Sequence, residues 1–359
     1  MKLILNTMYD LLLKPLSKPL PCEERGFYSY SPSLAGKGLG VRFSLLNPLC
    51  LGMLVSLAVM GCTPNSSHGG NNRPQVVATS TIIADLAEEI GGEKLQITGI
   101  LKPGADPHMY EPVPADSRVL EKANLILYNG YNLEPGIIKL MNATGDKAKK
   151  LAVGEVVKSL KLDKGRGKIV PDPHVWGSAE NVILMVKAIK NSLIALSPAD
   201  KNKLTENADK LIDELQQLHL WILQQIQTIP PKNRKLITTH DAFQYYGNAY
   251  KITIAGTLIG ISTEEQPSAQ TVKKLVESVK KIGVPAIFAE TTINPALIKT
   301  VAEEAGVKLA PTALYSDSIG VKGSNSDTYI KMMVANTRAI VEALGGKYTP
   351  FQLKSKNKN

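Results

Sequence analysis

Short β-type runs alternate with helical patterns along the chain from residue 75 onward, and this alternation constrains the fold more than any other feature. The runs fall into two sets, VVATS, LQITGIL and LILYN in the first half, then KLITT, ITIAGTL, AIFAE and VKLAP in the second. Such alternation is typical of parallel sheets with helices on both faces. We therefore predict an α/β fold with two lobes, each built on a parallel β-sheet flanked by helices.

A single long amphipathic pattern separates the two sets of runs. It opens with Ser197 and Pro198, a helix-start signal with proline at the first helical position, and stops at Pro230. Between them apolar residues recur every three or four positions, from Leu204 to Ile229. This pattern predicts one helix of about 30 residues, roughly 45 Å long, that joins the two lobes as a rigid connector.

The N-terminal region has the pattern of an export signal. Arg42 precedes an almost uninterrupted apolar stretch that ends at Cys62. The sequence Val-Met-Gly-Cys at its end resembles a lipoprotein cleavage box, which predicts a lipid anchor on Cys62 and a mature protein at the extracytoplasmic face of the cell membrane, periplasmic or on the cell surface. The alternative is a transmembrane anchor, because about 18 apolar residues can span a bilayer.

These patterns divide the chain into seven predicted parts. Val41 followed by Arg42 is compatible with a later start, so the first part is either untranslated or an extension without a fold. The predicted parts are the extension 1–40, the signal peptide 41–61, a flexible tether 62–75, the N-terminal lobe 76–196, the linker helix 197–229, the C-terminal lobe 230–348 and a tail 349–359.

The charge pattern argues against a nucleic-acid site, and cysteine usage argues against a metal site with thiolate ligands. The net charge is +10, but the basic residues are scattered in pairs such as Lys273 and Lys274 instead of forming a stripe with interleaved aromatics, so nucleic-acid binding is not predicted. All three cysteines, Cys22, Cys50 and Cys62, lie at or before the predicted cleavage point. A metal in the mature domain would therefore be held by nitrogen and oxygen.

Three of the five histidines lie in loops suited to metal binding. His108 and His174 each end an Asp-Pro-His triplet, in which proline stiffens the loop, and His240 follows the run KLITT. In open α/β sheets, ligands bind outside the carboxyl ends of strands. The alternative is that each histidine only forms a hydrogen bond with the backbone of its own turn. The repeated triplet favours a metal site.

A fourth ligand is expected among acids that follow strands of the C-terminal lobe, since a carboxylate adds charge and a hard oxygen. The candidates are Asp241, Glu290 and Asp317. Spacing alone does not choose between Glu290 and Asp317.

Four ordered segments, DPHMYEP, DPHVW, THDAFQYY and LYSDSIG, resemble the metal-binding receptor lipoproteins of manganese and zinc ABC importers, the cluster A-I solute-binding proteins. The resemblance runs from about Val76 to Leu344. It implies a metal ion buried between the lobes and a monomer that delivers it to an ABC permease and its ATPase subunit. The implied ligands are His108, His174, His240 and Asp317, with Glu290 and Asp241 near the ion but not bound to it.

The resemblance also bears on the metal, Mn²⁺ or Zn²⁺. Manganese receptors often carry glutamate where this chain has His240, whereas zinc receptors and some manganese or mixed-specificity receptors carry histidine. The long His-rich loop frequent in zinc receptors is missing here, and the YSDS form of the fourth segment is closer to the manganese or mixed branch. We expect manganese, with a zinc-specific receptor as the alternative.

Two other functions use the same features. Three histidines and an aspartate could hold a catalytic zinc, with Asp241 or Glu290 as the base of a metallo-hydrolase. No HExxH signature occurs, and a lipoprotein signal suits a receptor, so an enzyme is not predicted. An adhesin is the second alternative, although no sequence feature encodes a host ligand.

Overall fold

The computed structural model describes residues 73–163 and 169–354. The predicted extension, the signal peptide, Cys62 and all but the last residues of the tether lie outside these ranges. Within them, no helix combines the length and the apolar character needed to cross a membrane.

The N-terminal lobe is built on a four-stranded parallel sheet. Its elements are β1 (Gln75–Ala78), α1 (Thr81–Gly91), β2 (Gln96–Gly99), α2 (Pro114–Lys122), β3 (Leu125–Tyr128), α3 (Pro135–Thr144), β4 (Lys149–Ala152), β5 (Lys161–Asp163), β6 (Ile169–Pro171) and α4 (Ala179–Leu196). The strand order is β2-β1-β3-β4, and β5 and β6 form a separate antiparallel hairpin. Because parallel strands need crossover connections, the helices between them lie on the faces of the sheet.

Both faces of this sheet are buried. Successive strand residues point to opposite faces, so Val76 and Leu127 join one hydrophobic cluster while Val77 and Ile126 join another. The central strands β1 and β3 are therefore largely apolar runs, as expected where a parallel sheet is covered on both sides, whereas the edge strands β2 and β4 are partly exposed.

The predicted linker is the helix α5 (Lys201–Gln227), which has 27 residues. It begins slightly later than predicted because Pro198–Asp200 forms a 3-10 turn, in which the Ser197 hydroxyl donates to Asp200 Oδ2 at 2.7 Å. The apolar stripe of α5 is buried, including Leu204 and Leu215, and it packs against helices of both lobes.

The C-terminal lobe repeats the alternation with shorter strands. Its elements are β7 (Lys235–Thr238), α6 (Gln244–Tyr250), β8 (Thr253–Thr257), α7 (Ala269–Ile282), β9 (Ala286–Ile287), α8 (Ala296–Ala305), β10 (Lys308–Leu309) and α9 (Tyr329–Ala343). The pairs β7–β8 and β9–β10 are parallel. Phe288 N donates to Ile237 O at 2.9 Å, which joins the two pairs. The predicted α/β fold with two lobes and a long connecting helix is confirmed.

One hydrophobic cluster runs through both lobes. It contains Val76 of β1, Leu215 of α5, Leu236 of β7 and Tyr329 of α9, all fully buried. The lobes therefore share a core along α5, and the cleft between them is confined to the edge where their loops meet.

The described residues of the predicted tail pack along α5. Thr349 N donates to Gln225 Oε1 at 2.8 Å, Trp221 Nε1 donates to Thr349 O at 3.0 Å, and the rings of Trp221 and Phe351 lie 5.4 Å apart. This segment is thus tied to the connecting helix.

Candidate metal centre

Four loops bring the predicted ligands to the interlobe cleft. His108 lies in the loop between β2 and α2, and His174 follows β6 at the start of a 3-10 turn. His240 comes two residues after β7, and Asp317 lies between β10 and α9. Each loop follows a strand, which is where open α/β sheets place their ligand sites.

The four side chains converge closely. One ligand atom from each of His108, His174, His240 and Asp317 lies within 4.8 Å of the others, and all four residues are buried. His108 Nε2 is 3.2 Å from His174 Nε2. Asp317 points Oδ1 toward His174 Nε2 at 3.6 Å and Oδ2 toward His240 Nε2 at 3.4 Å. Three imidazole nitrogens and two carboxylate oxygens thus face one point.

Carboxylates lie next to Nδ1 of two histidine rings, on the side away from the centre. Asp172 Oδ1 lies 2.8 Å from His174 Nδ1, and Glu290 Oε2 lies 2.5 Å from His240 Nδ1. Because an ionised carboxylate only accepts hydrogen bonds, each ring donates from Nδ1 and turns Nε2 toward the centre. Metal-binding histidines in proteins are commonly oriented by such outer partners.

The repeated Asp-Pro-His triplet has a local structural role. Asp106 Oδ1 accepts the backbone N–H of His108 at 2.9 Å, and Asp172 Oδ1 accepts that of His174 at 2.9 Å. Each aspartate therefore closes a tight turn that fixes the histidine two residues later.

The three acids of the C-terminal lobe have different positions. Asp317 faces all three histidines, and Glu290 lies behind His240, where Oε1 also accepts the His240 backbone N–H at 2.8 Å. Asp241 accepts a hydrogen bond from Gln244 Nε2 at 2.7 Å, and burial raises its pKa. The structure thus separates Asp317 from Glu290, which spacing could not do.

The charges at the centre favour a cation. Burial opposes a charge on His240, but Glu290 and Asp317 outweigh it and raise the pKa of His240 well above its ordinary value. Burial also opposes the charge of Asp317, yet the facing histidines, His240 most strongly, hold the pKa of this carboxyl well below its usual range. A buried carboxylate group of this kind needs a compensating positive charge.

Two buried polar atoms at the centre have no hydrogen-bond partner among the described residues, His240 Nε2 and Asp317 Oδ1. Such atoms are uncommon because leaving them unpaired costs free energy. Both face the point where the other ligand atoms converge. A divalent metal ion would satisfy them, so the donor set fits a metal.

Two contacting residues were not recognised from the sequence as partners of the site. The carboxylate of Asp172 contacts the His174 ring at Nδ1, and its position two residues before the histidine was the available signal. Thr263 donates to Asp106 Oδ2 at 2.6 Å across the cleft, and no sequence pattern marks it.

Comparisons with known proteins agree with the predicted family. Residues 76–343 match the family model described as zinc-uptake complex component A periplasmic. The manganese-binding lipoprotein MntA of Halalkalibacterium halodurans is 32% identical over 296 residues, covering 81% of this chain and 96% of that protein. The metal ABC transporter substrate-binding lipoprotein FimA of Streptococcus parasanguinis is 33% identical over 303 residues, covering 82% and 97%.

A solved structure extends the agreement to the fold. The periplasmic zinc-binding protein TroA of Treponema pallidum superposes with a TM-score of 0.72 at 31% identity, covering 76% of this chain and 99% of that one. The predicted resemblance to metal receptors of ABC importers is confirmed. The chain belongs to the zinc-uptake complex component A periplasmic family of transporter substrate-binding proteins.

Proposed function

We propose that this chain captures one divalent transition-metal ion outside the cytoplasmic membrane and delivers it to an ABC permease and its ATPase subunit. The observation that carries the proposal is the convergence of four buried ligand residues on one point. Relatives named as manganese-binding and as metal ABC transporter substrate-binding lipoproteins support the transport role. Capture and handover make and break no covalent bond.

The ligands in this proposal are His108, His174, His240 and Asp317. Glu290 orients His240 from behind through Nδ1. Asp241, the other acid considered near the ion, shapes the loop through Gln244. Losing an outer partner such as Glu290 commonly weakens metal binding by 10- to 100-fold.

Manganese is the favoured cargo, with zinc as the alternative. Structural zinc sites are almost always tetrahedral, with four donors. Both oxygens of Asp317 face the histidines, so the site offers five donor atoms, which suits a metal with a larger coordination number. Three imidazoles intrinsically bind zinc more tightly than manganese, so selectivity for manganese would have to come from geometry and metal supply.

Release follows from the placement of the ligands on two lobes. A modest relative movement of the loops lengthens metal–ligand distances and weakens binding when the receptor docks on its permease. Protons compete with the ion because each imidazole must present an unprotonated Nε2. Affinity therefore falls as pH decreases, and the raised pKa of His240 adds to this competition.

The anchor and the assembly belong to the same proposal. Lipidation of Cys62 would tether the domain to the cell membrane on its extracytoplasmic side, and the receptor would act as a monomer. The lipoprotein names of the relatives support the anchor. Mass spectrometry of the membrane-extracted protein tests it, since a lipidated Cys62 would be the first residue of the mature chain.

The first experiment is metal analysis and competitive titration of the domain from Gln75 onward, purified without chelator. We expect one tightly held ion per chain. Asp317→Ala should abolish tight binding, and Glu290→Gln should weaken it by about 10- to 100-fold. His240→Glu should shift preference toward manganese, because it replaces an imidazole with a harder oxygen donor.

The exposed Glu304→Gln on α8 is the matched control for Glu290→Gln and should bind like wild type. Absence of stoichiometric metal in the wild-type domain, or binding that is unchanged in Asp317→Ala, would contradict the ligand set. Metal-dependent hydrolysis of ester or amide substrates that is lost in Asp317→Ala would instead favour a hydrolase, and binding to a host ligand without metal would favour an adhesin.

A further inference from the structure

A cavity of about 440 Å³ opens between the lobes and reaches His108. We call it the mouth. Tyr131, Asn132 and Glu155 line it from the N-terminal lobe, and Ile261, Ser262 and Glu264 line it from the C-terminal lobe. The mouth thus leads from the surface to one of the four proposed ligands.

The N-terminal rim of the mouth is rigid. Tyr131 and Asn132 both have left-handed backbone angles, φ 50° and 58°, which non-glycine residues adopt only when their surroundings hold them there. Tyr131 N donates to Glu155 Oε1 at 2.9 Å, and the Tyr131 hydroxyl donates to Val157 O at 2.8 Å. These contacts hold the N-terminal rim within its own lobe.

The side of the centre that carries Asp317 is closed by cross-lobe contacts. Trp176 Nε1 donates to Ser316 O at 2.8 Å, and Gly104 N donates to Ser318 Oγ at 2.9 Å. The residues on both sides of Asp317 are thereby tied to the N-terminal lobe.

The side that carries His174 is closed in the same way. The Tyr245 hydroxyl, on α6 of the C-terminal lobe, donates to Asp172 O at 3.0 Å and accepts from Leu160 N at 2.9 Å. With both of these sides tied, the mouth beside His108 remains open toward the centre.

Among the described residues, Thr263 of the C-terminal lobe and Asp106 of the N-terminal lobe form a hydrogen bond at the mouth. Thr263 Oγ1 donates to Asp106 Oδ2 at 2.6 Å, while Asp106 Oδ1 accepts the backbone N–H of His108. Thr263 is buried between Ser262 and Glu264, which line the cavity. This side-chain bond connects the rim on the C-terminal lobe to the loop that carries His108.

We propose that the Thr263–Asp106 hydrogen bond is a latch on the mouth and sets the rate at which the metal ion enters and leaves. The inference rests on the proposed function. The latch joins two loops and touches neither the ion nor a ligand side chain, so it stabilises the closed cleft equally with and without metal. Removing it should accelerate association and release by the same factor and leave the dissociation constant unchanged.

The test is Thr263→Val, which keeps the shape of threonine and removes its donor, against Thr263→Ser, which keeps the donor. Stopped-flow mixing with Mn²⁺ or Zn²⁺ gives the association rate, and mixing the loaded protein with a fluorescent chelator gives the release rate. We expect both rates to rise about three- to tenfold in Thr263→Val, as for the loss of one hydrogen bond, and to stay near wild type in Thr263→Ser.

The outcomes separate three cases. Unchanged rates in Thr263→Val overturn the latch, and so does faster release without faster association, because Thr263 would then only stabilise the bound state. A wild-type domain that holds no metal contradicts the proposed function instead. If Thr263→Val does not fold, as judged by circular dichroism, Thr263→Ala removes the same donor and carries the same expectations.

Discussion

Glu134 shows how a single buried carboxyl supports a loop of the centre. Its Oε1 accepts Asn129 N at 2.7 Å and the Thr79 hydroxyl at 2.8 Å. Asn129 Nδ2 in turn donates to Pro173 O at 2.9 Å, next to His174. Burial raises the pKa of Glu134 to about 7 despite these hydrogen bonds.

This shift predicts a dependence of stability on pH. The pKa of Glu134 in the folded protein lies above its ordinary value of 4.5, so between about pH 4.5 and 7 the folded protein binds more protons than the unfolded chain. Its free energy of unfolding therefore falls as pH rises through this window. Glu134→Gln should reduce the fall and be more stable than wild type at pH 8, by on the order of 1–3 kcal/mol.

Urea unfolding of the metal-free protein between pH 4.5 and 8 measures the effect. A residual slope is expected from Asp85, whose pKa burial also raises to about 7. The exposed Glu304→Gln should keep the wild-type slope. If Glu134→Gln kept it as well, the carboxyl would not be the group that titrates.

At the scale of elements, α5 contributes stability through its buried stripe. Leu215 is fully buried in the cluster shared by both lobes, whereas Leu220 on the same helix is 59% exposed. Leu215→Ala should cost about 2–5 kcal/mol of unfolding free energy, because it leaves a cavity in a packed core. Leu220→Ala should change it by about 0.5 kcal/mol or less.

Chemical denaturation of the two variants compares them directly. Because α5 supplies none of the proposed ligands, folded Leu215→Ala should retain wild-type metal affinity. Equal effects of the two substitutions would mean that α5 is a solvated spacer and not a part of the core.

At the scale of the whole molecule, the shared core predicts that the lobes unfold together. Trp176 lies beside the metal centre and Trp221 lies on α5, so Trp221→Phe and Trp176→Phe leave one fluorescent probe at each place. In each variant, tryptophan fluorescence and far-UV circular dichroism should give the same denaturation midpoint. A metal ion at 100 times its dissociation constant should raise the stability reported by both by about 2.7 kcal/mol.

Thermal or urea scans with and without metal check this expectation. Separate fluorescence and circular-dichroism midpoints within one variant would show that the lobes are independent despite the continuous cluster. A rise in stability on metal binding that is reported by Trp176 and not by Trp221 would show that metal stabilises only the loops of the centre.

Local patterns in the sequence were enough to predict the architecture and to single out the histidines of the centre. The alternation of apolar strands with helices predicts parallel sheets. The apolar stripe from Leu204 onward predicts a long helix with one buried face. Both patterns can be read locally, because side chains repeat with a fixed period along a strand and along a helix. The Asp-Pro-His triplets were equally readable, since each aspartate bonds the backbone of a histidine only two residues away.

The family resemblance implied Asp317 as the fourth ligand, but spacing left the choice of acid open, and only the tertiary structure decided what closes the cleft. Asp317 and Glu290 both follow strands, and their roles differ because the packing of the C-terminal lobe puts one in front of His240 and the other behind it. The Thr263–Asp106 bond joins residues 157 positions apart. Contacts of that span depend on how loops from two lobes meet, and no local periodicity encodes them.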